Sequence, residues 1–147
     1  FVYTDFIGSR DALSWAQMGE MLRSGLIDIQ AHSKSHRNLT ERNGHLSEAA
    51  YRQQVELELR QPRAVIERQL AASGAKVRHF AYPYGDANEV VVDATRRQGY
   101  EVGVTVVPGN NPFFAPPLLL KRTMIYGDHS LDDFKARLNG RRWPEWP

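Results

Sequence analysis

The stretch "LIDIQAHSKSH", residues 26–36, decides how this chain is read. Ile27, Ile29 and Ala31 alternate with Asp28, Gln30 and His32, the period-2 pattern of a strand, so His32 falls at the strand's carboxyl end. A second histidine, His36, follows four positions later in a polar loop. If the chain turns helically there, i and i+4 share a face and two imidazoles can converge on one ion. The same spacing also fits two incidental surface residues, because H-x-x-x-H here lacks the glutamate of a zincin helix. Position favours a site: in parallel α/β folds, functional groups collect at the carboxyl ends of strands.

Outward from this stretch, strand and helix patterns alternate. "FVYT" (1–4) reads as a strand, and Ser14 caps a helix "WAQMGEMLRSG" that Gly25 stops. After the 26–31 strand, Ser47 opens a long helix reaching about Ala72, broken or kinked near Pro62 because proline cannot donate the helix bond. "VRHFAYP" (77–83) is a third strand, "ANEVVVDATRRQG" (87–99) a helix closed by Gly99, and "YEVGVTVV" (100–107) a fourth strand. A proline-rich loop "PGNNPFFAPP" (108–117) leads to a fifth strand "LLLKRTMI" (118–125). Last comes a helix "SLDDFKARL", with Ser130 and Asp133 spaced as a capping box. Five alternations without an internal repeat predict one parallel α/β domain over residues 1–140, either a barrel or an open doubly wound sheet on pattern alone, followed by an irregular tail 141–147.

Composition excludes several classes. The 147 residues are 41% hydrophobic, enough for the core of one domain, and the formal net charge is only +2. The "RRW" segment is a lone basic cluster near the end, so nucleic acid is not an expected partner. No cysteine is present, which leaves His, Asp and Glu as the only metal ligands. No apolar run reaches membrane-spanning length and "FVYTDFIG" lacks signal-peptide features, so a soluble chain is expected. Dinucleotide, P-loop and nucleophile-elbow motifs are absent.

A second motif, "FAYPYG" (80–85), closes the third strand. Tyr82, Pro83 and Tyr84 form a stiff turn before Gly85 that can aim the Tyr84 N–H into a cleft, although an ordinary tight turn has the same sequence. "FVYTDFIG", "ALSWAQMGEMLRSGLIDIQAHSKSHRNLT", "RHFAYPYG" and "RTMIYGDHSLDDF" stand in the order found in the polysaccharide deacetylases, carbohydrate esterase family 4 with the NodB-homology domain. The chain resembles the FAYPYG-type branch of that family.

The resemblance implies a deformed, TIM-like (β/α) barrel and a secreted, periplasmic or cell-surface hydrolase that removes N-acetyl groups from a polysaccharide. It implies a divalent metal, usually zinc, held by His32, His36 and an aspartate. It also implies the Tyr84 N–H as oxyanion donor, with Tyr82 and Pro83 in the substrate-binding turn. The family's arginine before the proline-tyrosine motif is Ala81 here, and Arg122 is the substitute candidate. His129 is the candidate for the late general acid, although the leucine that precedes that histidine in the family is missing. The family's "TFDDG" segment, source of the third ligand and base, is also missing. "FVYTDFIG" resembles the family's second strand, as though one βα unit of roughly 30 residues were absent. Asp5 follows the wrong strand to be that base, and Asp132 and Asp133 belong to a helix N-terminus. The expectation is therefore either a deacetylase fragment lacking its Asp pair or a carbohydrate-binding remnant of the same fold.

Overall fold

The computed structural model describes residues 1–42, 44 and 46–138. His45, the end of the expected domain at residue 140, and the tail with Trp143 and Trp146 lie outside the described residues.

Among the described residues there are four α-helices: α1 (Trp15–Arg23), α2 (Glu48–Gln69), α3 (Glu89–Arg97) and α4 (Leu131–Leu138). Each of the first three starts at a side-chain cap that removes an orphan N–H from its first turn. Ser14 accepts from the Gln17 N–H in a full capping box, Ser47 from Ala50 and Asn88 from Val91. Ser130 and Asp133 form the reciprocal pair expected ahead of α4. Gly25 and Gly99, predicted to end helices, adopt φ of 72° and 75°, where a Cβ would be strained. Of the break or kink expected near Pro62, the break is not found, since α2 runs continuously through it. Pro62 is buried against the core, so tertiary packing offsets the bond its missing N–H cannot give to Glu58.

Five parallel strands were expected from the alternation; two, β1 (His79–Ala81) and β2 (Val102–Val104), are ladders of regular length. The other three segments reach the sheet through single parallel bridges, Val2 to Ala31, Ala31 to Phe80 and Val104 to Leu120. The order across the sheet thus follows the order along the chain, with no reversal at which a doubly wound sheet would place its ligand. Side chains explain the shortness. The Gln30 Oε1 accepts from both the Arg78 and His79 N–H groups, replacing backbone pairing on that side of Ala31. The first segment leaves the ladder early, coiling into a 3-10 turn at Thr4–Phe6.

The core lies between this sheet and α2 and α3, centred on Leu59, Ile66, Val77, Phe80, Tyr82 and Val91. Its buried phenols are satisfied: Tyr82 donates to the Leu118 carbonyl at 2.8 Å, Tyr100 to Leu59 at 2.8 Å and Tyr51 to Leu39 at 2.9 Å. Burial raises the Tyr82 and Tyr100 pKa values, which keeps both hydroxyls as donors. Gly103 leaves room for the first of these bonds. A Cβ there would stand 2.5 Å from the Leu118 oxygen and 2.6 Å from the Tyr82 hydroxyl. Gly103→Ala is therefore expected to lose about 1–3 kcal/mol of stability by overpacking. Urea denaturation measures this, and an unchanged midpoint would contradict the packing described.

Candidate metal and oxyanion site

The carboxyl ends of the parallel segments bring four predicted residues to one mouth. His32 follows Ala31, and its N–H donates to the Val2 carbonyl at 2.8 Å, fixing the residue between two neighbouring segments. Its ring Nδ1 lies 2.7 Å from the Ala81 carbonyl of β1. A carbonyl only accepts, so Nδ1 carries the proton and Nε2 keeps a lone pair, the arrangement that orients ligating histidines. The His32 pKa is lowered, first by burial and then by the neighbouring His36 and Arg122. Neutral imidazole, the ligating form, is thereby favoured.

The i, i+4 spacing does not work through a helical turn. Residues 33–38 form no helix; instead Ser33 and His36 take left-handed φ values of 72° and 60°. Non-glycine residues adopt this region at a cost, and such strain concentrates where geometry serves a function. Ser33 is fully buried and its Oγ accepts the His36 N–H at 2.8 Å. The two imidazoles end 4.7 Å apart between centroids, edge to face. His36 also lies between two tyrosine rings, Tyr3 and Tyr84, each 5.0 Å away.

The loop rests on Glu58, a residue that escapes notice in the sequence. Its carboxylate, buried beneath the loop, accepts the N–H groups of Lys34 at 3.0 Å and Ser35 at 2.9 Å, and the Ser35 hydroxyl at 2.7 Å. The signal was present: position 58 falls on the buried stripe of α2 with Tyr51, Val55, Pro62 and Ile66, where an unpaired acid would be costly. A second brace links the two motifs, the Asn38 Nδ2 donating to Asp86 at 2.7 Å.

The "YPYG" turn carries the third left-handed residue, Tyr84, with φ of 59°. Gly85 and Asp86 donate back to Tyr82 and Pro83, whereas among the described residues no acceptor pairs with the Tyr84 N–H. That amide is available to a ligand. Gly85 is required here, since a Cβ would meet the Val106 backbone N at 2.5 Å. Tyr82 and Pro83 require correction as substrate-binding side chains. Both are fully buried, with Tyr82 against Phe80 and bonded to Leu118, so they hold the turn from beneath and present no surface to a sugar.

Arg122 lies at the same mouth. Its Nε donates to the Thr105 carbonyl at 2.7 Å, and its charge contributes to lowering the His32 pKa. His129 is placed differently. Its Nδ1 accepts the Tyr126 N–H at 3.2 Å, its Nε2 faces Arg137 of α4 at 3.4 Å, and its ring contact is with Tyr126 rather than with either site histidine. Asp5 is ion-paired with Lys34 at 2.6 Å. Two imidazoles fit two corners of a divalent-ion site, and among the described residues no group of three His, Asp or Glu side chains completes it.

The sequence model for polysaccharide deacetylases matches residues 1–103, more than half of the chain, and the chain belongs to that family. No curated protein matches it. Among solved structures, the Streptococcus pyogenes deacetylase PplD, in complex with acetate, superposes with a TM-score of 0.75 at 23% identity over 92% of this chain and 53% of its own. IcaB from Ammonifex degensii gives 0.73 at 23% over 97% and 60%. The deacetylase domain of BpsB from Bordetella bronchiseptica gives 0.64 at 26% over 76% and 48%. The chain thus spans about half the length of these structures.

Two outcomes test the site's construction. His32 should titrate below the ordinary 6.5 and show the Nδ1–H tautomer in nitrogen-detected NMR. Because the unfolded chain binds the proton more readily, this group makes stability rise with pH between its lowered folded value and 6.5. A titration at or above 6.5 would contradict the assignment. Glu58→Ala should cost about 1–3 kcal/mol by stranding the loop's N–H groups, read by denaturation, whereas a neutral substitution would show that the loop stands without it.

Proposed function

We propose that this chain forms the histidine and oxyanion side of a metal-dependent N-deacetylase acting on an N-acetylated polysaccharide outside the cytoplasm, built on a deformed (β/α) barrel. The observation that carries this reading is the meeting, at one sheet end, of a tautomer-fixed His32, a His36 ring 4.7 Å away between centroids and the Tyr84 amide, unpaired among the described residues. Membership of the polysaccharide deacetylase family supports it, as does the parallel order of the segments. The acetate named with PplD is the product that such a reaction releases.

His32 and His36 would hold the ion, and an imidazole donor set suits zinc. When bound, the metal supplies Lewis acidity, polarising the acetamide carbonyl and making water nucleophilic at neutral pH. The Tyr84 N–H donates to the carbonyl oxygen as negative charge develops there, a role that preorganised amides fill without reorganisation. Tyr82 and Pro83 fix that amide from the core. Arg122, anchored on Thr105, keeps a positive field beside His32, opposing its protonation. Water adds to the amide carbon, the C–N bond breaks, and acetate and a free amine result. Among the described residues no third ligand and no base for the water's proton is assigned, and no step is assigned to His129.

A second reading has one observation in its favour. Among the described residues no carboxylate joins the two histidines, and Asp5 is committed to Lys34. A carbohydrate-binding relative that does not hydrolyse would look the same here.

Acetate release from an N-acetylated oligosaccharide with added zinc separates the two. Hydrolysis that falls at least 10²-fold in His32→Ala and in His36→Ala, with loss of zinc measured by native mass spectrometry, is the outcome expected of a deacetylase. Sugar binding without acetate release by the protein bearing all its family segments would establish the second reading. Unchanged zinc content in both variants would remove the metal site altogether.

A further inference from the structure

The loop 108–117 ends in an arrangement that neither the core nor the histidine site explains. Phe113 and Phe114 occupy the two central positions of a turn closed by the Ala115 N–H on the Pro112 carbonyl at 2.9 Å. Turn centres ordinarily hold glycine, asparagine, aspartate or proline, which meet the backbone's demands and prefer water. Here two phenylalanines stand almost entirely in solvent, 107% and 84% exposed. Apolar side chains left free in this way on a soluble surface mark a place of contact.

The loop is braced on both sides. The Asn111 side chain behaves like a strand residue, its Nδ2 donating to the Lys121 carbonyl at 3.0 Å and its Oδ1 accepting the Lys121 N–H at 2.9 Å. The Arg122 N–H donates to Val107 at 3.2 Å. Through these bonds the loop is tied to the segment that carries Arg122, and it leaves β2 at the carboxyl end, the end of the sheet that bears His32, His36 and Tyr84. Binding residues carried on a braced loop beside a rigid scaffold are a recurrent arrangement.

The chemistry of the loop selects the ligand. Residues 107–117 contain no charged side chain, so the basic groups that attract an anionic lipid surface or nucleic acid are missing from the tip. A pyranose ring offers the complementary face: a patch of C–H groups that packs on an aromatic ring, edged by hydroxyls that stay hydrated. We propose that Phe113 and Phe114 form an aromatic platform that stacks on sugar rings of the polysaccharide beyond the unit being deacetylated, an inference that rests on the deacetylase reading of the site. The platform makes recognition depend on chain length, since a single sugar in the histidine mouth leaves the rings uncovered.

Calorimetric titration with the hexamer and the monomer of β-1,4-linked N-acetylglucosamine tests this, comparing the chain with its Phe113→Ala, Phe114→Ala double variant. The expected result is about a tenfold loss of hexamer affinity with monomer binding unchanged, and the same melting temperature, because exposed rings contribute no packing. Equal hexamer affinity in both proteins overturns the platform and leaves the deacetylase reading intact. Absence of hexamer and monomer binding by the parent chain overturns that reading and the platform with it. If the substitutions instead release the chain from phosphatidylcholine vesicles while hexamer affinity holds, the rings serve a lipid surface and the sugar platform is refuted.

Discussion

The hydrogen bond from His32 Nδ1 to the Ala81 carbonyl, 2.7 Å long, joins the two motifs on which everything else in the site depends. Ala81 is not a free loop carbonyl: its own N–H donates to Ala31 at 2.9 Å, one residue before His32. The ladder that makes the sheet therefore also fixes which histidine nitrogen holds the proton. A ligand needs a lone pair at a defined place, and here the place is set by β-pairing rather than by a flexible side chain.

Around that bond the structure spends stability on geometry. Three non-glycine residues, Ser33, His36 and Tyr84, hold left-handed backbone within two short loops, and each is retained by a specific contact. Ser33 is buried and bonds the His36 amide, Glu58 gathers the N–H groups of Lys34 and Ser35, and Tyr84 precedes a glycine pressed against Val106. Strain of about 1–3 kcal/mol per residue persists only where surroundings overdetermine the conformation. The fully buried Tyr82 and Pro83 supply that overdetermination for the turn that carries Tyr84.

Much of this is legible in the sequence, for physical reasons that differ from residue to residue. The helices announce themselves because caps such as Ser14 and Ser47 and stops such as Gly25 act locally. The histidine pair is legible from its place after an alternating strand, and the resemblance to deacetylases holds because the motifs stand in order. The means of convergence is not legible: spacing alone points to a helical turn, whereas serine and histidine give no compositional hint of left-handed backbone. The 26–31 segment meets β1 through one bridge because the Gln30 side chain takes bonds that period-2 patterning assigns to backbone. The resemblance places Tyr82 in a substrate-binding turn, but the burial of its side chain depends on Gly103 and Leu118, distant in sequence.

The central claim is that His32 and His36 form a prearranged pair for one ion. X-ray absorption at the zinc edge, on the protein loaded with one equivalent of zinc, reads this directly. The account predicts two imidazole nitrogens at about 2.0–2.1 Å, with the ring-scattering signature of histidine, disappearing together in His32→Ala, His36→Ala protein. A spectrum with oxygen ligands alone, or one unaltered by that double substitution, would contradict it.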